Sequence, residues 1–413
     1  MHGRCADRPS VSPPAEVFVR FLRLGCTSFG GPVAHLGYFR REFVEKARWL
    51  DDATFAEVVA LCSILPGPTS SQVGIVLGAR KAGPLGGFLA WLAFAAPSAI
   101  LLGALGLFLR SAGNAGSPLH GPRFEGALEG LGAAAAAVVG IAVVALARGV
   151  LRSRLDVGIA LLGFALALGF DRFAPTFQWV ALLAGGALGY AFGRAPRSLP
   201  ARPPALSVSR RTGMIAGSAF VLLLVGLPIV APPGSYLELF AALYRAGSLV
   251  FGGGHVVLSF LQSFIGAGVS ERTFFAGYGA TQAMPGPVFT FAAFLGAVLE
   301  PNGGLVGAVV ALTGIFLPSF LLLAAVIPLW SALRQLPRAS QTLAGLNAGV
   351  VGLLAAVFVD PIASTLARDP VGIALALFAL ATLVWLRFPA WATVACCALL
   401  GGLIRSYAST SGL

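Results

Sequence analysis

An arginine, a glycine two residues on, and Phe-Gly-Gly four residues after that interrupt two separate apolar runs of this chain, at Arg23–Gly31 and at Arg245–Gly253. A bare charge and a run of helix breakers are both costly inside an apolar segment. A membrane segment keeps such a stretch where the irregular backbone is buried in protein or lines a water-filled cavity. The two copies are therefore read as the centre around which two frames are built.

Composition agrees with a membrane setting. Only 11% of residues are charged and 57% are hydrophobic, with mean hydropathy +0.87, which excludes an ordinary soluble domain. Repeated apolar runs place the chain in the polytopic all-α class, with the lipid bilayer as its surroundings. The net charge of +12 would suggest nucleic acid on a soluble protein. Here the arginines fall mostly in short loops between apolar runs, so they read as topology signals and no nucleic-acid partner is expected. The five cysteines show no zinc spacing and read as small buried apolar residues. Residues 1–14 are polar and Pro-rich without the apolar centre of a signal peptide.

The landmarks recur in order. Arg23 and Arg245 differ by 222 positions, Pro66-Gly67-Pro68 and Pro285-Gly286-Pro287 by 219, and Pro97-Ser98 and Pro318-Ser319 by 221. Such offsets mark a duplication. The division is a polar N-terminus (1–14), a first repeat (15–193), an Arg/Pro-rich cytoplasmic linker (194–211), an unduplicated linking membrane helix (212–231) and a second repeat (235–407). The unpaired helix makes the second repeat enter the membrane the other way up. The expected fold is thus an inverted repeat with broken helices and about 10–13 membrane segments. With the linker inside and the loops alternating, 18 Lys and Arg fall inside and 9 outside. Arg40, Arg41, Lys46 and Arg48 are the exception, which suggests that the first broken helix re-enters rather than spans.

A helix broken at mid-depth presents unpaired N–H groups and a positive dipole end where its second half begins. Gly30-Gly31-Pro32, Gly252-Gly253-Gly254 and the two Pro-Gly-Pro motifs are the breakers. Thr69, Ser70 and Ser71 follow the first Pro-Gly-Pro, while Gln282 precedes and Thr290 follows the second. Such N-termini favour anions. Arg23 and Arg245 would neutralise a small oxyanion, since the guanidinium fork matches tetrahedral oxyanions in two-point contact. Ser28 adds a hydroxyl, and His255 flanks the second glycine run. The structural alternative pairs the arginines with Glu42 or Glu238. His35 and His255 read first as packing residues, and Glu57, Glu125 and Glu129 as loop-facing or paired with Arg123. No P-loop, His-Glu-x-x-His or Gly-x-Ser-x-Gly motif occurs, so neither an enzyme nor a cofactor is expected, and transport would draw on an ion gradient or the membrane potential.

The ordered pattern Ser28-Phe29-Gly30-Gly31-Pro32, Trp49-Leu50, Leu61 to Pro68, Phe251 to His255 and Gln282 to Pro287 resembles the chromate ion transporter family in its long, two-domain form. The resemblance implies a multi-pass protein of a bacterial or archaeal inner membrane that exports chromate and so confers chromate resistance. The second repeat departs from the first at Gly254, where the first has Pro32, and lacks the Ser/Thr cluster, so the two half-sites would be chemically unequal. A sulfate or related oxyanion permease is the alternative, and a non-transporting membrane scaffold a second one. A homodimer is the default expectation for a symmetric membrane protein.

Overall fold

The computed structural model describes residues 12–112, 121–170, 176–193, 206, 208–250, 257–265, 268–299, 301–330, 338–367 and 369–411. Among them are helices and loops but no strand. The first helix, α1 (Pro13–Thr27), begins on two prolines, whose fixed φ suits the first turn. It stops at Gly30 and Gly31, with φ of 98° and 75°, and α2 (Gly31–Phe39) then turns back alongside it. Phe21 stacks on Phe43 at 4.8 Å and meets Phe39 edge-on at 5.6 Å. Arg20 reaches Glu42 at 2.5 Å, so the pair is a helical hairpin with Gly30 at its tip.

Helix α3 (Asp52–Ile64) starts on an Asp51 cap, whose carboxylate accepts from the Thr54 N–H at 2.8 Å. It ends at the first Pro-Gly-Pro elbow, from which α4 (Thr69–Ala112) departs. Non-helical angles at Ala82 and Gly83 fold α4 into two limbs. The limbs touch so closely that a Cβ on Gly78 would lie 2.3 Å from the Gly86 carbonyl oxygen. The turn of α4 returns to the face where α1 began. There Lys81 Nζ lies 3.2 Å from Glu16, and the Trp49 indole donates to the same carboxylate at 3.3 Å. Both hairpins of the first repeat thus open on one face, crowded with Arg40, Arg41, Lys46, Arg48, Arg80 and Lys81.

The second repeat rebuilds this with α9 (Tyr236–Leu249), α10 (Val257–Ile265), α11 (Glu271–Ala283), the second elbow, a short 3-10 turn (Val288–Thr290), α12 (Phe291–Val298) and α13 (Gly304–Val326). The Arg245 guanidinium lies 4.6 Å over the Phe264 ring, which brings α9 and α10 side by side. Gly277 sits against the Phe294 ring, doing the same for α11 and α12. Gly296 and Gly307 repeat the Gly78–Gly86 contact at 2.2 Å. The hairpins of this repeat open on the opposite face: Arg110, at the far end of α4, donates to the Leu299 carbonyl at 3.1 Å, and Asn302 donates to the Gly234 carbonyl. The second limb of α4 therefore runs alongside α12 in the same sense and against α13, its own counterpart.

The remaining helices exchange partners. Helix α5 (Pro122–Val150) packs on the terminal hairpin of the other repeat, α15 (Pro370–Val384) and α16 (Ala390–Ser411). Helix α14 (Ala339–Val357), prolonged to Leu366, packs on α6 (Arg154–Phe170) and α7 (Thr176–Phe192). Small residues make this close approach: a Cβ on Gly130 would lie 2.0 Å from the Cys397 carbonyl oxygen, and one on Gly345 2.1 Å from that of Gly185. Helix α8 (Arg210–Val230) lies outside against α9 and α13, with Leu222 and Ile229 72% and 78% exposed, as a lipid-facing helix requires. Among the described residues, six helices are long and apolar enough to cross a bilayer.

Glu57 and Glu129 differ from expectation: Glu57 is buried and Glu129 half-buried, while Glu125 is exposed. Glu129 is bound by Arg272 at 2.8 Å and Arg405 at 2.7 Å, and Arg272 also reaches Glu125 at 3.7 Å. Arg123 instead donates to Ser406 at 3.0 Å. Both guanidinium partners belong to the second repeat, which sequence spacing could not reveal.

Candidate functional site

The two elbows carry glycines at φ +115° (Gly67) and +99° (Gly286), a left-handed conformation that other residues adopt at a cost. Each elbow reaches into the other repeat. The Gly67 N–H donates to the Val250 carbonyl at 2.7 Å, and the Gly286 N–H donates to the Ser28 carbonyl at 2.9 Å. Ser28 and Val250 differ by the repeat offset, so the two bonds are reciprocal. The same holds for two serines: a Cβ on Gly67 would lie 2.9 Å from Ser319 Oγ, and one on Gly286 2.8 Å from Ser98 Oγ. Pro97-Ser98 and Pro318-Ser319 mark the repeat in sequence, but their place beside the opposite elbow emerges only in the fold.

Around this crossing the two half-sites differ. At the start of α4, Ser70, Ser71 and Gln72 are all buried and Thr69 is half-buried. Ser28 and His35 join them from α1 and α2, both wholly buried. His35 lies with Nδ1 3.2 Å from Ser70 Oγ and Nε2 3.2 Å from the Ser28 carbonyl oxygen. The Gln72 amide donates to the Pro66 carbonyl at 2.6 Å. Ser28 Oγ, Ser71 Oγ and Gln72 Oε1 are buried without a hydrogen-bond partner among the described residues. Buried polar atoms are seldom left so, which makes this place the candidate site.

The second elbow is apolar by comparison. Val288 and Phe289 follow Pro287, and the Thr290 hydroxyl is already used, donating to the Pro287 carbonyl at 2.7 Å. Pro285 and Gln282 are half-buried, and Gln282 Nε2 has no partner among the described residues. Thr281 donates back to its own helix at Gly277, 2.8 Å away.

The two arginines stand differently. Arg245 is half-buried on α9, with its Nε unpartnered among the described residues and its guanidinium over Phe264. Arg23 is exposed on α1, one turn before the Ser28 end. Gly30, Gly31 and Pro32 form the partly exposed tip of the first hairpin, while Pro66 is half-buried and Pro68 buried at the elbow. Gly252, Gly253, Gly254 and His255 lie outside the described residues. Of the sequence-derived set, the structure gathers Ser28, Gly67, Ser70, Ser71 and Gly286 most tightly. His35, Gln72, Ser98 and Ser319 belong with them; in the sequence Gln72 closes the polar run after Pro-Gly-Pro, His35 follows the first glycine motif, and the two serines stand in the repeated Pro-Ser.

A separate cavity of about 210 Å³ lies between α5, α11, α15 and α16, lined by Glu129, Glu271, Arg272, Asp369 and Arg405. The arginines there are engaged by Glu129, Glu125 and Asp369.

These features define a polytopic helical membrane protein with a polar centre shared between two repeats. The chromate transporter family model matches residues 15–190 and 237–402, one block in each repeat. The chain belongs to the chromate transporter family. It is 32% identical over 370 residues to a chromate transport protein of Pseudomonas aeruginosa, covering 88% of this chain and 86% of that one. It is 29% identical over 344 residues to a chromate transport protein of Cupriavidus metallidurans, covering 82% and 80% of the two chains. A probable chromate transport protein of Synechococcus elongatus is 27% identical over 345 residues, 82% of each chain. No solved structure matches.

Proposed function

We propose that the protein carries chromate, a tetrahedral dianion, out of the cytoplasm by alternating access, and so confers resistance to it. The observation that carries the reading is the start of α4, where Ser28 and Ser71 hold buried, unpartnered hydroxyls beside the helix N-terminus. Hydroxyl donors and a positive dipole end suit an anion, and the unequal elbows favour one anion seated toward the first repeat. Arg23 and Arg245 supply long-range positive charge from either side, and Gly30 and Gly31 at the first hairpin tip with the two Pro-Gly-Pro elbows form the walls. The inside-negative membrane potential favours outward movement of an anion.

The inverted arrangement accounts for the loop charges. Following the chain from the Lys81 face gives, among the described residues, nine helices that would cross, namely the second limb of α4, α5 to α8 and α13 to α16. Four re-entrant hairpins complete it, two entering from each face. Fourteen of the described Lys and Arg residues then fall on the face of the first-repeat hairpins, including Arg40, Arg41, Lys46 and Arg48. Four (Arg110, Arg123, Arg272, Arg405) fall on the other, and Arg23 and Arg245 lie within hairpins. That bias supports a cytoplasmic first face, on which the exception left by the alternating scheme would no longer arise. A cysteine replacing Arg41 should react with an impermeant maleimide in everted vesicles and not in intact cells. Labelling from outside would overturn the topology.

The test of function is chromate flux into everted vesicles, with excess sulfate as competitor. Ser28→Ala and Ser71→Ala should each raise the KM about tenfold or more, since a hydrogen bond to a charged ligand is worth roughly 1.5–3 kcal/mol. Unchanged KM in both variants would sink the assignment of the site. Flux abolished by equimolar sulfate would shift the substrate to sulfate.

A further inference from the structure

We propose that His35 is a proton site coupled to the anion site: its imidazole takes up a proton from water as the dianion binds at the start of α4, and both travel together. The inference rests on the anion site described above and names a coupling ion for it.

The hydrogen-bond pattern fixes the starting state. The Ser28 carbonyl oxygen only accepts, and it already receives the Gly286 N–H at 2.9 Å. His35 Nε2, 3.2 Å away, must therefore carry the hydrogen that completes this contact. In the neutral ring Nδ1 is then bare and accepts the hydroxyl hydrogen of Ser70, 3.2 Å away. Ser70, in the first turn of α4, is thus held facing the ring and withheld from the anion. Protonation at Nδ1 reverses this contact. Both ring nitrogens then donate, Ser70 Oγ becomes the acceptor, and its hydrogen is released toward the helix N-terminus. One proton supplies a positive charge and one further hydroxyl donor at the same moment.

The surroundings leave that charge to the anion. His35 is wholly buried and meets the Phe94 ring edge-on at 5.2 Å. Among the elements around it, α1 carries Glu16, Arg20 and Arg23, and α2 runs on to Arg40, Arg41 and Glu42. Helix α4 carries Arg80 and Lys81 at its turn and Arg110 at its far end, and α3 carries Asp52 at its start and the buried Glu57 near its middle. Arg20 and Lys81 are held by Glu16 and Glu42 at the cytoplasmic face, and residues 281–290 of the facing elbow hold no titratable group. Among the described residues no carboxylate lies within ion-pair distance of His35. A buried imidazolium without a counter-ion is unfavourable, so the dianion itself is the group that stabilises it. By linkage each must then tighten the other's binding to the same extent. The transported unit carries one net negative charge instead of two.

The test is titration calorimetry of the purified full-length protein with chromate, at a pH above chromate's second ionisation, in two buffers of different ionisation enthalpy. The intact protein should show buffer-dependent heat corresponding to uptake of up to about one proton per anion. His35→Gln retains a donor for the Ser28 carbonyl and an acceptor for the Ser70 hydroxyl. It should bind chromate more weakly and with buffer-independent heat. Binding by the intact protein with the same heat in both buffers would overturn the proton site alone. Undiminished proton uptake by His35→Gln would overturn His35 as its location. If the variant fails to fold, the two-buffer comparison on the intact protein decides. Absence of any chromate binding by the intact protein would overturn the anion site and this proposal with it.

Discussion

Substituting Gly67 or Gly286 by alanine is expected to cut anion flux to below about a tenth of the intact rate while leaving the protein inserted in the membrane. Each glycine sits at positive φ, +115° and +99°, where a Cβ costs about 1–2 kcal/mol even in open space. Space is also lacking. The new Cβ at Gly67 would lie 2.8 Å from Gln72 Nε2 and 2.9 Å from Ser319 Oγ, and that at Gly286 2.8 Å from Ser98 Oγ. The elbow must shift to relieve this contact. The shift stretches the N–H bond to Val250 or to Ser28 across the repeat boundary, and at Gly67 it displaces the first turn of α4 that would hold the anion. The cost is local, because α3 and α4 keep their own hydrogen bonds, so the thermal midpoint should fall by only a few degrees. Flux normalised to the amount of inserted protein, read beside the thermal midpoint, checks this. Alanine at both positions with normal flux would show that the elbows do not shape the translocation centre.

The elbows were visible in the sequence because Pro-Gly-Pro, which alone could be a simple kink, interrupts two apolar runs in register. The turning back of α2 along α1 was hinted at by charge: Arg40, Arg41, Lys46 and Arg48 are the exception to the alternating scheme, and Phe21 meets Phe39 and Phe43 in a helical hairpin. Two kinds of feature were not legible. The first is which repeat satisfies a given group. Ser98 approaches Gly286 and Ser319 approaches Gly67 across the boundary, a choice set by the two-fold crossing and not by spacing. The second is the use of a side chain whose type is ambiguous. His35 reads as packing in an apolar run, and only its contacts to Ser70 and the Ser28 carbonyl give it a polar role. The paired arginines show the reverse limit. Position and type repeat, yet Arg23 is exposed while Arg245 is half-buried, because only the second repeat provides a Phe264 ring beneath its guanidinium.

The exchange of partners between repeats makes the largest stability prediction: neither repeat should fold alone, although the linker that joins them is dispensable. A cut within residues 194–209 separates α5 from α15 and α16, and α14 from α6 and α7. In lipid no hydrophobic effect holds helices together, so their association rests on close packing of small residues. The faces around Gly126 and Gly130 on α5, and Gly345 and Gly352 on α14, are built for backbone contact with the absent repeat. A Cβ on Gly126 would lie 2.2 Å from the Gly401 carbonyl oxygen, and one on Gly352 2.1 Å from that of Ala160. Separation also strands a charge. Glu129 stays with the first repeat while Arg272 and Arg405 leave with the second. An unpaired carboxylate toward the membrane interior costs up to about 2.5–3.5 kcal/mol, a sizeable part of a domain's net stability. Expressed singly, each repeat should be degraded or elute as aggregate. Expressed together from two reading frames, they should co-purify and recover chromate flux. Within the co-expressed pair, Glu129→Gln should weaken co-purification, whereas Glu45→Gln, at an exposed pair inside the first repeat, should not. A first repeat that purified alone as a monodisperse species with a cooperative thermal transition would show that it satisfies α5 by itself, and that the exchanged helices are not what holds the repeats together.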